Sequence, residues 1–472
     1  MLEIVTKPFK LAYEGYKLVK SARKAVKLWF RKPAYGSAGW ATSKDVNLEP
    51  TGFAVGKIGG WWSKRKIYTD PESCVIMVGQ RGAGKSLTMG ATLREANGQT
   101  LIVFDPPAQL MAAHEDSLKA KGYGVFHVDL MNPSNGAKFD PMAILEHSNV
   151  YSIERDIDTV ARLVVGEAED VGESAGQHFA EMSVNLVAGV IAYLWEHDKA
   201  NCTMSEVANI LSVGGPNKRR LVFDQMRVHA TNPAAKAAVN AFDEAGDREK
   251  GSFSTSMMRK LKPWTTRAYQ DLCVRGSGWT WDGMFTSQQP VAFFITGGVG
   301  QRESISAVTR QMIGQAAATL SRLYGEAGPL ARPVMMLLDE FDSLGNCGPV
   351  VNVITELRKQ NVTVFMAVQS LEQIRRNYKG QYETIKHNCD MIVCGGMKAP
   401  KEYLEISQLI GTRTINPITK GKASVSTGEA PRALIGVDDL YRMSSREHIA
   451  LLGNKSIKLE KPFEIKGGKV VY

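Results

Sequence analysis

The sequence predicts an α/β fold with a parallel-rich central sheet, an inserted all-α region and an N-terminal basic amphipathic helix. Short apolar runs rich in valine and isoleucine predict the strands, because a strand buried on both faces of a parallel sheet has no polar side. Helical patterns between these runs predict the helices that cover the sheet. Residues 151–289 show helical patterns and no convincing strand, which predicts that this stretch is inserted into the α/β domain.

Seven apolar runs are predicted as strands of the sheet. The segment from Lys85 to Ala96, between the first two runs, is predicted as a helix, because Asn97 and Gly98 are typical of a helix end. A long helix is also predicted after Gln301, where apolar residues recur at helical spacing. The predicted strands cover residues 74–78, 101–104, 124–128, 291–296, 334–339, 362–368 and 391–394.

Composition excludes several classes of protein. The hydrophobic content of 44% and the charged content of 22% are typical of a globular chain. The longest nearly uncharged apolar stretch, residues 183–195, is shorter than the ~20 residues that a membrane-spanning helix needs. The 6 cysteines lack the spacing of a zinc site or a disulfide framework. We therefore expect a cytoplasmic protein with reduced thiols.

The positive charge is concentrated at the amino terminus. Residues 1–32 contain nine basic and two acidic residues, so they carry +7 of the formal net charge of +10. Apolar residues from Leu11 to Trp29 recur between the basic ones at helical spacing. Such a basic arm suits an anionic membrane surface or a partner protein. A helix that merely caps the body of the protein is the alternative.

The most informative motif is GQRGAGKS at residues 79–86, which matches GxxxxGK[ST] and is called the P-loop below. Its glycines let backbone N–H groups face the phosphates of a nucleotide, and the following helix adds its positive N-terminal dipole. Lys85 would reach the β- and γ-phosphates, and Ser86 would hold Mg²⁺. A chance match is the alternative, but a strand precedes the loop and a helix follows it. The predicted ATP-binding residues are Gly79, Gln80, Arg81, Gly82, Ala83, Gly84, Lys85, Ser86 and Leu87.

Two adjacent carboxylates follow the apolar run that begins at Val334. Asp339 would take Mg²⁺ through water together with Ser86, and Glu340 would polarise the attacking water. An ordinary acidic turn at the end of a strand is the alternative. The acidic pair lies far from the P-loop in the sequence, and the helical insertion accounts for the excess length.

Two further polar residues are candidates for catalysis. Arg358 follows the acidic pair on the next helix, where it could serve as an arginine finger; a surface ion pair is the alternative. Gln369 ends the next apolar strand and could sense the γ-phosphate, because an amide both donates and accepts hydrogen bonds. With these two, the predicted catalytic residues are Lys85, Glu340, Arg358 and Gln369.

Taken in order along the chain, the P-loop, the acidic pair, Arg358 and Gln369 resemble the corresponding features of the type IV coupling proteins of bacterial conjugation and type IV secretion, the TraG/TraD family of P-loop motors. The resemblance covers about residues 35–463. The sequence differs from the family pattern at Pro107, Ala108 and Gln109. Family members also usually begin with membrane-spanning helices, and this sequence shows none. The segments that carry the resemblance are YGSAGWAT at 35–42, LIVFDPPAQ at 101–109, DPM at 140–142, LLDEFDSLG at 337–345, ELRKQNVTVFMAVQS at 356–370 and the tail at 432–463.

The resemblance implies a RecA-like P-loop domain of the FtsK/HerA superfamily that works as a hexamer. It implies that Arg358 acts across the subunit boundary and that Gln369 couples the γ-phosphate to movement. The predicted regions are the basic arm at 1–34, the first part of the nucleotide-binding domain at 35–150, the all-α domain at 151–289 and the second part at 290–472. The all-α domain would recognise substrate.

The function predicted on this basis is that of an ATP-driven coupling protein that delivers substrate to a type IV secretion or conjugation channel. The implied partners are the channel components, a relaxosome or relaxase–DNA complex or effector proteins, and DNA without sequence preference. We expect the chain at the inner face of the bacterial membrane, held peripherally by its arm or by a separate anchor protein. Another FtsK/HerA-like DNA-pumping ATPase and a non-catalytic, nucleotide-dependent docking receptor are the alternatives.

Overall fold

The computed structural model describes residues 35–59, 64–166, 173–297, 302–395, 400–415, 418–420, 425–427, 429–467 and 469–471. The predicted basic arm therefore lies outside the described residues. The chain forms two compact units, one of Met1–Trp40 with Ala399–Leu440 and one of Ala41–Lys398 with Tyr441–Tyr472. The predicted domain boundaries stay a prediction.

The larger unit is built on one sheet of eleven strands, in the order β2-β1-β15-β14-β9-β3-β8-β7-β4-β6-β5. The strands from β9 to β5 in this order run parallel to one another, and the other four are antiparallel. The strand bounds are β1 Ala54–Ile58, β2 Arg65–Tyr68, β3 Cys74–Val78, β4 Thr100–Asp105, β5 Gly124–Asp129, β6 Val291–Thr296, β7 Val334–Leu338, β8 Val362–Val368, β9 Cys389–Cys394, β10 Thr412–Ile415, β11 Ile418–Lys420, β12 Val425–Thr427, β13 Ala430–Ala433, β14 Glu447–Leu452, β15 Lys455–Glu460, β16 Glu464–Lys466 and β17 Lys469–Val471.

The centre of the sheet is buried on both faces. Every residue of β3, β4, β6, β7 and β8 is buried, as continuous apolar runs predict for parallel strands covered by helices. The predicted parallel-rich α/β fold is therefore confirmed. The antiparallel strands β1, β2, β14 and β15 extend the sheet beyond the predicted set.

The α-helices of the larger unit connect and cover the strands. None of the described helices combines the length and the apolar character that crossing a membrane requires. Within the described residues, the α-helices are α1 Lys85–Glu95, α2 Gln109–Ala120, α3 Ile153–Val165, α4 Glu173–His197, α5 Met204–Ala208, α6 Gly215–His229, α7 Pro233–Glu244, α8 Asp247–Leu261, α9 Arg267–Leu272, α10 Trp281–Phe285, α11 Arg302–Ala327, α12 Gly348–Asn352, α13 Leu371–Asn377, α14 Tyr382–Asn388, α15 Pro400–Ile410 and α16 Val437–Tyr441.

Between β5 and β6 the described chain is helical. Helix α3 buries the stripe that contains Ile157, Val160 and Val164, as its apolar spacing predicts. Helix α3 contacts the long helix α11, which runs between β6 and β7. Gln311 of α11 donates a buried hydrogen bond to the carbonyl of Val160, 2.6 Å away, and so ties the two helices together.

The smaller unit contains α15 and the antiparallel pair of β10 with β13. Thr412 donates its hydroxyl to the carbonyl of Tyr35 at 3.0 Å, and the N–H of Tyr35 donates to the hydroxyl of Thr414 at 3.1 Å. The buried side chains of Tyr403 and Ile406 supply its apolar interior. The segment at 35–42 that carries the family resemblance thus begins as an edge of this small sheet.

Candidate nucleotide-binding site

The parallel strands direct the candidate residues to one edge of the sheet. The carboxyl ends of β3, β8, β7 and β4 are neighbours, since these strands lie side by side in that order. The P-loop follows β3, Gln369 follows β8, and the acidic pair follows β7. Ligands of open parallel sheets bind outside the carboxyl ends of the strands. We call this side of the sheet the carboxyl edge.

The P-loop folds back over the end of β3. The N–H of Gly79 donates to the carbonyl of Val368 at 3.1 Å, which ties the start of the loop to β8. Gly82 and Gly84 both have φ of +80°, a left-handed conformation that glycine adopts without strain. Helix α1 then starts at Lys85 with no side-chain cap and no acidic residue in its first turn. The N–H groups of that turn have no acceptor within the helix, so they can face an anion.

Lys85 folds back onto the loop that precedes it. Its ammonium donates to the carbonyls of Gly79 at 2.7 Å and Gln80 at 3.2 Å. Burial lowers the pKa of Lys85, and the nearby carboxylate of Asp339 opposes that change. The ammonium is therefore a partly desolvated cation next to the loop, which is the state in which it attracts phosphate most strongly.

Ser86 and Asp339 meet directly although 253 residues separate them. The hydroxyl of Ser86 donates to Oδ2 of Asp339, and the N–H of Asp339 donates to the carbonyl of Phe104 in β4 at 3.0 Å. Burial raises the pKa of Asp339, whereas the Ser86 hydroxyl and the Lys85 ammonium lower it. The structure thus brings both predicted magnesium ligands to one point.

Glu340 is held in an unusual backbone conformation. Its φ of 64° and ψ of 47° are left-handed, a region in which non-glycine residues are strained. The turn is fixed by the N–H of Ser343, which donates to the carbonyl of Glu340 at 2.8 Å. This turn directs the chain away from β7 directly after Asp339, and it leaves Glu340 half-buried at the carboxyl edge.

Asp105 adds a third carboxylate, to which the sequence assigned no role. It ends β4 and accepts from the N–H groups of Gln109 at 3.2 Å and Met111 at 2.9 Å, at the start of α2. Burial, with the Asp339 carboxylate as a further cause, raises the pKa of Asp105 to about 6. The signals in the sequence were its place at the end of an apolar run and its position in the LIVFDPPAQ segment, to which no role was assigned.

Gln369 lies one strand away from the P-loop, and its side chain is exposed. Its N–H donates to Oε1 of Gln373 at 2.8 Å, and Nε2 of Gln373 donates to Oδ2 of Asp342 at 3.0 Å. Gln373 also completes a capping box with Ser370 at the start of α13. A hydrogen-bonded chain therefore links the end of β8 to the turn that carries the acidic pair, and sequence reasoning missed Gln373 as its centre.

Arg358 is not brought to this edge. It begins a short 3-10 turn, Arg358–Gln360, just before β8. Since β8, β3 and β9 run parallel, Arg358 lies on the side of the sheet where these strands begin. Asp390 and Cys74 mark the amino ends of β9 and β3 on that side, and burial raises the pKa of Asp390 against the opposing effect of the Arg358 guanidinium. The P-loop lies at the other end of β3, roughly 13 Å along the strand.

The C-terminal segment at 461–463 touches the P-loop, which nothing in the sequence predicted. Lys461 donates its ammonium to the carbonyl of Ala83 at 2.6 Å. A Cβ added at Gly84 would lie 2.5 Å from Cζ of Phe463, so the ring rests directly on this glycine. Phe463 thus covers part of the loop although it is remote in sequence, and no sequence motif predicts this contact.

The groups at the carboxyl edge fit a magnesium nucleotide. The open start of α1 and the Lys85 ammonium suit phosphate oxygens, which are anionic. The Ser86 hydroxyl and the Asp339 carboxylate are oxygen ligands of the kind that Mg²⁺ prefers. Gly82 has no atom within 4 Å of where its Cβ would be, so the mouth of the loop is open.

The family model for type IV secretory system conjugative DNA transfer matches residues 29–466. A search among curated proteins found no match. Among solved structures, the bacterial conjugative coupling protein TrwB aligns with a TM-score of 0.63 at 15% identity, over 84% of this chain and 86% of that chain. TrwB with a non-hydrolysable ATP analogue aligns at 0.64 and 16% identity, over 84% and 86%. VirB4 of Thermoanaerobacter pseudethanolicus aligns at 0.51 and 12% identity, over 90% of this chain and 98% of that chain.

At these identities the structural likeness shows the fold alone, which this chain shares with TrwB. The family match covers most of the chain and agrees with the segments that carry the resemblance. The predicted function, a coupling protein of conjugation or type IV secretion, is confirmed at the level of the family. The chain belongs to the family of type IV secretory system conjugative DNA transfer proteins.

Proposed function

We propose that the chain binds ATP with Mg²⁺ at the carboxyl edge and hydrolyses it to move substrate toward a type IV secretion or conjugation channel. The hydrogen bond between Ser86 and Asp339 beside the Lys85 ammonium carries this proposal. It places a hydroxyl, a carboxylate and a cation together at the start of the P-loop helix, which are the groups that a magnesium nucleotide needs. TrwB has been solved in complex with ADP and Mg²⁺ and with a non-hydrolysable ATP analogue, which supports the same ligand here.

Each residue has a separate task in this proposal. Lys85 leaves the carbonyls of Gly79 and Gln80 and pairs with the β- and γ-phosphates. Ser86 and Asp339 would hold Mg²⁺, which supplies a positive charge against the charge that grows on the phosphoryl oxygens. Glu340 accepts a proton from the attacking water or orients that water.

Arg358 is proposed to complete the site of a neighbouring subunit. Its place at the amino ends of β3 and β9 supports this role, since it is too far along the strand to serve its own P-loop. Gln369 is proposed to report the γ-phosphate, and the chain of Gln373 and Asp342 would pass its movement to the acidic turn. A site shared between subunits requires assembly, and the family resemblance supports a hexamer.

The partners are proposed from the family. The family's conjugative DNA transfer implies DNA or a DNA–protein complex as substrate and the secretion channel as the destination. We propose that the helical region between β5 and β6 contacts substrate and that the chain works at the inner face of the membrane, reached through the basic arm or an anchor protein.

The first prediction concerns hydrolysis. Lys85→Ala removes the phosphate cation and Glu340→Gln removes the proton acceptor, so each should abolish ATPase activity. The two should differ in nucleotide binding, because Lys85→Ala loses a ground-state contact whereas Glu340→Gln keeps every phosphate contact. Phosphate release and calorimetric titration of ADP with Mg²⁺ measure the two properties.

Lys119→Ala and Glu115→Gln are matched controls, because this exposed pair lies on α2, away from the loop. Both should keep wild-type activity and binding. ATPase activity in Lys85→Ala above a trace would place the site elsewhere. Wild-type protein that binds ATP but never hydrolyses it, with DNA present or absent, would favour the docking receptor.

A further inference from the structure

The segment at 461–463 is fixed firmly against the P-loop. Lys461 is only 5% exposed, and its own N–H donates to the carbonyl of Arg446 at 2.9 Å. Pro462 is buried, and its ring restricts the backbone between the two side chains that touch the loop. The segment follows β15 directly, so the sheet itself anchors it.

Lys461 and Lys85 together bind three carbonyls of the loop. Lys85 binds the carbonyls of Gly79 and Gln80, and Lys461 binds that of Ala83. Burial lowers the pKa of Lys461, as expected for an ammonium enclosed by the loop. When Lys85 turns to a phosphate, Lys461 is the cation that stays on a loop carbonyl. It therefore keeps the Ala83 carbonyl turned away from the anion.

Phe463 has a different relation to the loop. Its ring tip rests on Gly84, the glycine before Lys85, yet the side chain is only half-buried. Part of an aromatic ring thus remains accessible beside the phosphate loop. Aromatic rings provide flat surfaces for nucleobases, and stacking does not require hydrogen-bond partners.

We propose that residues 461–463 form the base side of the nucleotide site: Phe463 stacks on the nucleobase, and Lys461 is a positioning residue that holds the Ala83–Gly84 peptide. This inference rests on the proposed nucleotide function. It assigns a binding role to the C-terminal segment, because the accessible part of the ring lies beside Gly84, the residue that precedes the phosphate-binding Lys85.

Comparing ADP with inorganic pyrophosphate separates the two roles, since pyrophosphate has the phosphates and no base. Phe463→Leu keeps the apolar bulk and removes the aromatic face, and Phe463→Met is a second non-aromatic variant should the first fail to fold. Either should weaken ADP binding by about tenfold and leave pyrophosphate binding unchanged. Lys461→Met should weaken both ligands by a similar factor.

Calorimetric titration of the full chain with ADP or pyrophosphate, each with Mg²⁺, gives the dissociation constants. Phe463→Tyr should bind ADP like wild type, because it keeps the ring. Ile465→Ala and Lys466→Met are matched controls, since both side chains are exposed on β16 just beyond the segment. These controls should change neither dissociation constant.

The outcomes separate this inference from the function on which it rests. If Phe463→Leu and Phe463→Met bind ADP as wild type does, or lose pyrophosphate in equal measure, the stacking role is wrong. Unchanged pyrophosphate binding in Lys461→Met would overturn the positioning role. If Lys85→Ala also binds both ligands normally, the nucleotide site itself is misplaced.

Discussion

Three carboxylates share the carboxyl edge, and their surroundings give each a different character. Asp105 and Asp339 are almost fully buried, and burial is the main cause that raises the pKa of each. Repulsion between like charges adds to this, from the Asp339 carboxylate at Asp105 and from the Glu340 carboxylate at Asp339. Ser86 and Lys85 partly compensate Asp339. A divalent cation at this point would relieve the remaining repulsion, so the same groups that cost stability in the free protein favour binding of a cation.

The stability lost by burying Asp105 beside other carboxylates can be measured from its dependence on pH. Its pKa is about 6 in the folded protein against an ordinary 3.8, so the folded state binds a proton more tightly than the unfolded state. The free energy of unfolding contributed by this group therefore falls as the pH rises from about 4 to about 6, by at most ~3 kcal/mol. Asp105→Asn removes the titrating group, so the variant should gain stability relative to wild type across that window.

Chemical denaturation at several pH values between about 4 and about 7 measures the difference. Asp116→Asn on the exposed side of α2 is the matched control and should follow the wild-type pH dependence. A difference between Asp105→Asn and wild type that stays constant over the window would show that Asp105 does not titrate there.

At the scale of elements, the P-loop depends on two glycines with the same backbone angle and different surroundings. Gly82 and Gly84 share φ of +80°, but a Cβ at Gly82 meets nothing within 4 Å, whereas one at Gly84 meets Phe463 at 2.5 Å. A side chain at Gly82 is therefore disfavoured only by the backbone conformation. A side chain at Gly84 is disfavoured by the backbone conformation and also by contact with the C-terminal segment.

Alanine substitutions should separate the cost of backbone strain from the cost of the contact with Phe463. Gly82→Ala should cost ~1–2 kcal/mol of unfolding free energy from backbone strain alone. Gly84→Ala should cost a further ~1–3 kcal/mol, because Phe463 must move. Combining Gly84→Ala with Phe463→Ala should recover that further cost when compared with Phe463→Ala alone. Urea denaturation of the variants tests this, and equal losses in both single glycine variants would contradict the packing of Phe463 on the loop.

The same scale explains which elements the sequence could predict. The strands β3, β4, β6, β7 and β8 are continuous apolar runs, so their pattern reports burial on both faces. The strands β1, β2 and β15 carry lysines, and β14 begins with Glu447 and His448. The pairing of β1 with β15 joins residues as remote as Lys57 and Glu460. Their place depends on tertiary pairing, which a local pattern does not encode.

The residues of the candidate site also fall into two groups, those that the sequence predicted and those that depend on tertiary structure. The P-loop and the acidic pair were predictable because their chemistry needs fixed residue types at fixed spacing. Lys461 and Phe463 reach the loop through the order of strands in the sheet, and a lysine and a phenylalanine near the end of a chain have many ordinary explanations. Asp105 lacked a motif because the residues that follow it differ from the family pattern.

For the whole molecule, Arg358 raises the question of what one chain can do alone. It lies at the amino ends of β3 and β9, whereas Lys85, Ser86, Asp339 and Gln369 gather at the carboxyl edge. A site that lacks its arginine within the chain would remain slow until a second copy supplies one. Hydrolysis should therefore rise more steeply than linearly with protein concentration.

Mixing two inactive variants tests this arrangement. Arg358→Ala keeps its P-loop and Lys85→Ala keeps its arginine, so some mixed interfaces pair an intact loop with an intact Arg358. Each variant alone should lose activity, Arg358→Ala by roughly 10³-fold or more, because an arginine finger neutralises charge that develops only in the transition state. Partial activity should return on mixing. Lys359→Ala, an exposed neighbour, is the control and should stay active.

The size of the effect separates a shared site from a local ion pair. An ion pair within one chain stabilises the fold and not the transition state, so its loss would change turnover far less than the loss of an arginine finger. Full activity of Arg358→Ala alone would therefore reject the arginine finger. A mixture as inactive as its two components, after fluorescence energy transfer has shown that subunits exchange, would mean that Arg358 serves its own chain through a rearrangement of the segment before β8.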